Sequence, residues 1–179
     1  VTLLVTFLGI FRERLLASLI GPGPTLDAYV LAHKIPDILY VTTAALFVST
    51  TLLPYLVREK TPEDKKRLIS EMYTVQLVGA SILALILILL NPIIIPLLGP
   101  GFSPETLTMA QNMSSLILLS PILLGISNLL GLNSQMNKQF IIVALSPLFY
   151  NLGTVLTLYF GYNALGYFVL PIAILVAAL

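Results

Sequence analysis

The chain has 179 residues, of which 58% are apolar and only 9% are charged, whereas a soluble globular domain usually carries roughly 25% charged residues. There is too little polar surface to cover a water-exposed domain, and apolar runs of about 20 residues suit a bilayer core of about 30 Å. A formal net charge of +1 does not indicate the basic surface that binds nucleic acid. The absence of Cys excludes disulfides and thiolate chemistry. The composition therefore predicts an all-α, polytopic transmembrane helical bundle.

Turn residues divide the chain into about six apolar segments. The Gly-Pro-Gly-Pro run at 21–24 cannot continue a helix, and Thr61-Pro62 and Ser103-Pro104 each place an N-cap hydroxyl before a proline that suits the first helical position. The predicted single bundle covers 1–179, with spans at about 1–20, 27–57, 68–98, 106–133, 140–160 and 165–179. Because the chain begins at Val1 and its last apolar run has no polar flank, we expect a fragment truncated at both ends.

Basic residues predict the orientation of the bundle. They concentrate in the second and fourth connections, which the positive-inside rule assigns to the cytoplasm, so the N-terminus is predicted to be cytoplasmic. Segment 58–71 is predicted to be a solvated cytoplasmic turn, with contact to membrane lipid headgroups as the alternative. The basic residues of the two connections are Arg58, Lys60, Lys65, Lys66, Arg67 and Lys138.

Ionisable side chains lie inside the first two apolar segments, where each charge costs on the order of 3 kcal/mol. They should therefore face one another or a wet cavity. We expect the first two spans to form a hairpin that holds both groups at similar depth, and the i, i+3 spacing of Lys34 and Asp37 allows an ion pair. The two groups are Arg12, Glu13 and Arg14, and then His33, Lys34 and Asp37.

The excess of positive charge in these two groups predicts a site for an anionic head group such as phosphate or pyrophosphate, because Arg offers a bidentate donor fork. The candidate substrate-binding residues are Arg12, Arg14 and Lys34. The alternative is an internally neutralised ion-pair network that only fixes the hairpin. His33 is interpreted as a hydrogen-bonded interior histidine or, alternatively, as a proton relay.

Other polar and special residues have a packing interpretation and a functional one. Asp27 is either a first-turn acid or, with Glu13 and Asp37, a gating or ion-coupling residue. Gly9 and Pro36 are candidate hinges, with simple helix bends as the alternative. The polar residues of the fourth and fifth spans either join helices or line a cavity. They are Gln111, Asn112, Ser114, Ser115, Ser120, Ser127, Asn128, Asn151 and Thr154.

Several short runs resemble one transporter family. LGIFRERLLA at 8–17, LDAY at 26–29 and KIPDIL at 34–39 are similar to the MurJ/MviN lipid II flippases of the MOP superfamily of multidrug, oligosaccharidyl-lipid and polysaccharide exporters. The run GPGF at 99–102 and the region 132–151 resemble later parts of the same family. The resemblance covers nearly the whole chain in order.

The resemblance implies transport without covalent chemistry. We therefore expect that the protein is not an enzyme and that it has no cofactor and no metal site. Members of the family are two-lobed, fourteen-helix inner-membrane proteins that move an undecaprenyl-pyrophosphate-linked peptidoglycan precursor by alternating access. The chain then corresponds to the N-terminal lobe, whose partners are this lipid-linked anionic glycan, membrane lipids and the missing C-terminal lobe. The family's cavity arginine falls on Arg12, and two family acids fall on Glu13 and Asp27.

The sequence also departs from the family pattern. Val5 and Thr6 stand where the family has Ser-Arg, and Tyr40 and Val41 stand where it has Arg-Arg, so the cavity arginines expected at Thr6 and Tyr40 are missing. The alternatives are a flippase for another polyprenyl-linked glycan and a related exporter of polysaccharide-lipid or drugs, coupled to H⁺ or Na⁺ through acids such as Asp27 and Asp37. A non-transporting membrane scaffold is the alternative of another class.

Overall fold

The computed structural model describes residues 2–40, 61–136 and 138–179. These residues form seven α-helices and one short 3-10 helix, with no strand among them, which confirms the predicted all-α fold class. Part of the predicted span 27–57, with Arg58 and Lys60, lies outside the described residues. The helices are α1 (Thr2–Ile20), α2 (Pro24–Tyr40), α3 (Pro62–Leu98), α4 (Pro104–Ile117), α5 (Ser120–Met136), α6 (Phe140–Leu165) and α7 (Val169–Ala178), with the 3-10 turn Gly166–Phe168 before α7.

Local capping explains where two of the helices begin. The Thr61 hydroxyl accepts a hydrogen bond from the backbone N–H of Asp64 at 3.2 Å, and Ser103 accepts one from Thr106 at the same distance. In each case a proline follows the cap and occupies the first turn. Both helix starts predicted from the sequence are therefore confirmed.

The first two helices diverge after the turn that joins them. Gly21 and Gly23 have φ angles of 63° and 158°, and the Gly21 N–H closes α1 on the Ala17 carbonyl at 3.0 Å. However, α1 packs mainly on α6, and α2 packs mainly on α4. The expected close hairpin of the first two spans is thus wrong, because the small and apolar face of α2 that includes Ala28 and Ala32 is buried in the core of the bundle.

The predicted fourth span, 106–133, contains two helices. α4 ends at Ile117 and α5 begins at Ser120, with the Leu118 N–H bonded to the Ser114 carbonyl at 2.8 Å. Pro121 has no N–H for the carbonyl four residues earlier, so the helical hydrogen-bond ladder is interrupted here. The interruption lies near the middle of the apolar stretch Pro104–Gly131.

The last two helices form an antiparallel pair. Gly166 has φ 54° at the reversal, and a methyl group added at Gly153 would lie 3.3 Å from the Cα of Ala177. The backbones of α6 and α7 therefore approach closely, as small residues permit between helices in membranes. α7 also contributes Leu170 and Ile174 to the core beside α2 and α4.

Three stretches of the described residues are long and apolar enough to cross a membrane: Ser70–Leu98, Pro104–Gly131 and Phe140–Ala178, the last folding back at Gly166. The helix α1 is continuous, but its apolar sequence contains three consecutive charged residues, and the described part of α2 has 17 residues. Six membrane crossings therefore stay a prediction.

Candidate functional site

Two adjoining cavities lie between α1, α2, α4, α5, α6 and α7, and of the ionisable residues singled out in the sequence they are lined by Arg12, His33 and Asp37. The first, which we call the Arg12 cavity, has a volume of about 460 Å³. This volume falls within the roughly 300–1,000 Å³ of typical ligand pockets. Its polar wall comprises Arg12 from α1, Ser127 and Asn128 from α5, and Ser146, Tyr150 and Asn151 from α6.

Arg12 is held by its sequence neighbour Glu13. The Glu13 Oε1 atom accepts hydrogen bonds from Arg12 Nη2 at 2.5 Å and from Nε at 3.2 Å. The Arg12 side chain is 28% exposed and that of Glu13 is 63% exposed, so Glu13 lies on the outer side of the pair. Since a guanidinium has five N–H groups, two are used and three remain for an anion in the cavity.

Neutral groups complete the Arg12 cavity. The Asn151 side-chain amide donates to the Pro147 carbonyl at 2.9 Å, which fixes its orientation on α6. Gly9 faces this amide, and an added methyl group would meet Asn151 Oδ1 at 3.9 Å, an ordinary contact. α1 runs unbroken through Gly9, as α2 does through Pro36, so the hinge roles of these two residues stay predictions.

The second cavity, which we call the Asp37 cavity, has a volume of about 340 Å³ and shares Leu124 and Tyr150 with the first. The His33 Nδ1 atom donates to the Tyr29 carbonyl at 2.9 Å, and the two rings meet edge to face at 4.3 Å between centroids. This supports the interpretation of His33 as a hydrogen-bonded interior histidine. The other lining residues are Pro36, Asp37, Ile117, Ser120, Pro121 and Ile174.

The structure brings Arg12 and Asp37 to adjoining cavities and leaves Arg14 and Lys34 outside both; Asp37, like Arg14 and Lys34, is exposed. Asp37 follows His33 by four residues and shares its face of α2, whereas Lys34 lies about 100° around the helix from His33. The predicted Lys34–Asp37 ion pair is accordingly not formed between these two described residues. Asp27 is exposed in the first turn of α2 and lines neither cavity.

The softer polar residues divide between the two roles considered for them. Ser127, Asn128 and Asn151 line the Arg12 cavity. By contrast, the buried Asn91 joins α3 to α4 by donating to the Gln111 carbonyl at 2.8 Å and to the Ser115 hydroxyl at 2.9 Å.

Sequence reasoning assigned no cavity role to Ser146 or Tyr150. Their i, i+4 spacing on α6, beside Asn151, is the signal that places them on one wall.

Comparisons with known proteins place this arrangement in a family. The sequence profile of the lipid II flippase MurJ matches residues 16–179, a range that begins after Arg12, Glu13 and Arg14. A probable lipid II flippase MurJ of Synechocystis sp. is 29% identical over 163 residues, covering 88% of the chain and 30% of the relative. The lipid II flippase MurJ of Thermosipho africanus is 32% identical over 166 residues, covering 86% of the chain and 33% of the relative.

A probable lipid II flippase MurJ of Buchnera aphidicola from Acyrthosiphon pisum is 27% identical over 159 residues, covering 86% of the chain and 31% of the relative. The chain thus spans about a third of the length of these curated relatives. The resemblance drawn from the sequence motifs is confirmed. With a profile match over most of its length, the chain belongs to the MurJ lipid II flippase family.

Proposed function

We propose that the complete protein containing this chain is a flippase that moves lipid II, the polyprenyl-pyrophosphate-linked peptidoglycan precursor, across the cytoplasmic membrane. The profile match over 16–179 and the names of the relatives as lipid II flippases support this proposal. The apolar helices support a membrane location. We further propose an inner-membrane protein with a cytoplasmic N-terminus, because the basic connections follow the positive-inside rule.

The single observation that carries the proposal is a cationic side chain directed into a polar cavity in an apolar bundle. A charge in such a position is costly and therefore indicates a functional site. Arg12 has three N–H groups left after its contact with Glu13, and a guanidinium fork matches phosphate oxygens. At about 460 Å³ the Arg12 cavity suits the pyrophosphate rather than the whole head group. We therefore assign only the pyrophosphate to it.

The remaining predicted residues take narrower roles in this proposal. Arg14 and Lys34 are exposed and line neither cavity, so Arg12 alone of the three predicted substrate ligands contacts pyrophosphate in this conformation. Glu13 competes with the substrate for the guanidinium and so gates its availability. Asp27 lies at the start of α2, at the opposite end of that helix from the Asp37 cavity, and its proposed role there is gating or ion coupling.

Movement of lipid II requires alternating exposure of the Arg12 cavity to the two sides of the membrane. In transporters built from two repeats, this exposure comes from one repeat rocking against the other around a central site. We propose that the part of the protein beyond this chain supplies the second repeat. No covalent step is proposed for the described residues.

The test is Arg12→Ala in the complete protein, with Arg14→Ala as the matched control because Arg14 is exposed on the same helix. We expect Arg12→Ala to abolish complementation of a flippase-depleted strain at normal membrane abundance, and Arg14→Ala to retain it. In purified protein, Arg12→Ala should weaken binding of a prenyl pyrophosphate by about tenfold or more, the scale of a charge-assisted pair. Normal growth of the Arg12→Ala strain at normal abundance would contradict the proposal.

Two alternatives predict different outcomes. A cation-coupled exporter of polysaccharide-lipid or drugs is favoured by the Asp37 cavity, and it would transport such a substrate without binding prenyl pyrophosphate. A scaffold is favoured by the Arg12–Glu13 ion pair, which can simply neutralise Arg12 in the bundle. A scaffold would complement equally well when both residues are replaced by Gln.

A further inference from the structure

We infer that the Arg12 cavity contains a second recognition group, the side-chain carbonyl of Asn151, which accepts a hydrogen bond from an O–H or N–H group of the sugar joined to the pyrophosphate. This inference rests on the proposed function, because it concerns the same cavity and the same class of substrate. One donor group beside the pyrophosphate still leaves the rest of the head group outside the cavity. Since binding of pyrophosphate to Arg12 does not require Asn151, the inference and the proposed function can fail separately.

The orientation of the Asn151 amide is fixed by its own helix. Its Nδ2 atom donates to the Pro147 carbonyl at 2.9 Å. Because a backbone carbonyl only accepts hydrogen bonds, the nitrogen and not the oxygen of the amide must face Pro147. No donor to the Oδ1 atom of Asn151 is found in the described part of the chain. The structure thus presents an acceptor with a fixed direction and without a donor.

The surroundings of Asn151 leave this acceptor open to the cavity. Asn151 is only 8% exposed, and it lines the cavity together with Gly9 and Arg12 of α1. A methyl group added at Gly9 would have Oδ1 of Asn151 as its nearest neighbour, at 3.9 Å. The missing side chain of Gly9 therefore leaves space in front of the oxygen. An unpaired amide oxygen inside an apolar bundle is costly, so it requires a donor from water or from a ligand.

Arg12 and Asn151 bind opposite kinds of group. Gly9 and Arg12 are three residues apart and lie on one face of α1, so the guanidinium and the Asn151 oxygen belong to one cavity wall each. A guanidinium only donates, whereas this oxygen only accepts. Phosphate oxygens are acceptors too, so the pyrophosphate binds at Arg12 and the group beside it must bring the donor to Asn151. In a polyprenyl-linked glycan the sugar carries O–H and N–H groups, and the prenyl chain carries none.

The other neutral side chains of the cavity do not make this selection. The Ser146 hydroxyl donates to the Ile142 carbonyl at 3.2 Å, and a hydroxyl can both donate and accept. Ser127 is a hydroxyl of the same kind and is exposed. The Asn128 amide is less buried than that of Asn151. Asn151 is therefore the residue expected to distinguish a ligand with a donor from one without.

The test compares the binding of two ligands to the purified complete protein by microscale thermophoresis. One ligand is a short-chain prenyl pyrophosphate, and the other is the same molecule carrying one N-acetylhexosamine. We expect the unmodified protein to prefer the sugar-bearing ligand by about two- to tenfold, the scale of one hydrogen bond. Asn151→Leu should remove this preference and leave the affinity for prenyl pyrophosphate unchanged. Asn163→Leu is the matched control, because Asn163 is an exposed amide of the same helix that lines neither cavity, and it should keep the preference.

A second variant, Gly9→Ala, decides the question if Asn151→Leu does not fold. Its methyl group would make an ordinary contact with Oδ1 of Asn151, and Ala favours a helix more than Gly does, so α1 should form normally. The methyl group covers the acceptor and should lower the preference for the sugar-bearing ligand. Gly79→Ala is the control, because its added methyl group would lie in open space, and it should keep the preference.

Three results would overturn the inference. The first is equal affinity of the unmodified protein for the two ligands. The second is a preference that Asn151→Leu leaves unchanged or, where that variant does not fold, that Gly9→Ala leaves unchanged. The third is an equal loss of affinity for both ligands, which would mean that Asn151 only orients Arg12 or that Gly9 acts as a hinge. Prenyl pyrophosphate binding by the unmodified protein would leave the proposed function standing in each case, whereas its absence would contradict the proposed function itself.

Discussion

Replacing Glu13 by Gln should strengthen the binding of a pyrophosphate group to the complete protein. In the structure, Glu13 occupies two of the five N–H groups of Arg12 through contacts of 2.5 and 3.2 Å. Glutamine keeps the size of the side chain but removes its charge. The substitution therefore releases the guanidinium and removes a negative charge that repels the incoming anion.

The exposure of the pair sets the magnitude of this effect. The Glu13 side chain is 63% exposed, and partly or fully exposed ion pairs are worth about 0–1 kcal/mol. Because about 1.4 kcal/mol corresponds to tenfold in affinity, we expect Glu13→Gln to tighten binding by about two- to fivefold. The gain should shrink as salt is raised, since the Debye length is about 10 Å at 0.1 M ionic strength.

The assay is microscale thermophoresis of purified protein with a short-chain prenyl pyrophosphate, at low and at moderate salt. Glu105→Gln is the control, because Glu105 is an exposed first-turn acid of α4 that lines neither the Arg12 cavity nor the Asp37 cavity. It should leave the affinity unchanged. Unchanged or weaker binding by Glu13→Gln would refute the reasoning, because it would mean that Glu13 orients Arg12 for the anion instead of competing with it.

Two further predictions concern stability, measured as the midpoint of thermal unfolding of the complete protein in detergent. Gly99→Ala should destabilise the protein by about 1–3 kcal/mol, the usual cost of overpacking, because the new methyl group would lie 2.7 Å from the Phe102 ring. Gly101→Ala, with open space around its added methyl group, should not lower the midpoint, and equal midpoints for both variants would contradict the packing argument. Asn91→Asp should lower the midpoint at neutral pH, because it replaces the amide that donates to the Gln111 carbonyl by a carboxylate in a residue only 1% exposed. A midpoint unchanged by Asn91→Asp would show that this hydrogen bond does not hold α3 to α4.

Helix starts were predictable because they depend on atoms within four residues of each other. The Thr61 and Ser103 caps each join a side chain to a backbone N–H three residues later. The effect of prolines was less predictable. Pro36 lies inside an unbroken helix, whereas the ladder is interrupted before Pro121. Whether a proline bends or breaks a helix depends on the neighbouring helices, which sequence spacing does not reveal.

The candidate site was predictable in its residue types and only partly in its grouping. The cost of charge at membrane depth identified Arg12 and Asp37 from the sequence. Arg14 and Lys34 satisfied the same criterion, yet the structure places them outside both cavities. Tyr150 carries no charge, and it took the packing of α6 beside α1 to show that it separates the two cavities.

The sequence by itself determined the membrane class, the helical character and the short list of ionisable residues that require a polar environment. These properties follow from composition and from contacts local in the chain. Only the tertiary structure decided that α1 lies on α6 rather than along α2. The physical reason is that packing partners are chosen by the fit of whole apolar faces across the bundle. Because successive helical residues are rotated by about 100°, this packing places Arg12 and not Arg14, and Asp37 and not Lys34, in the walls of the cavities.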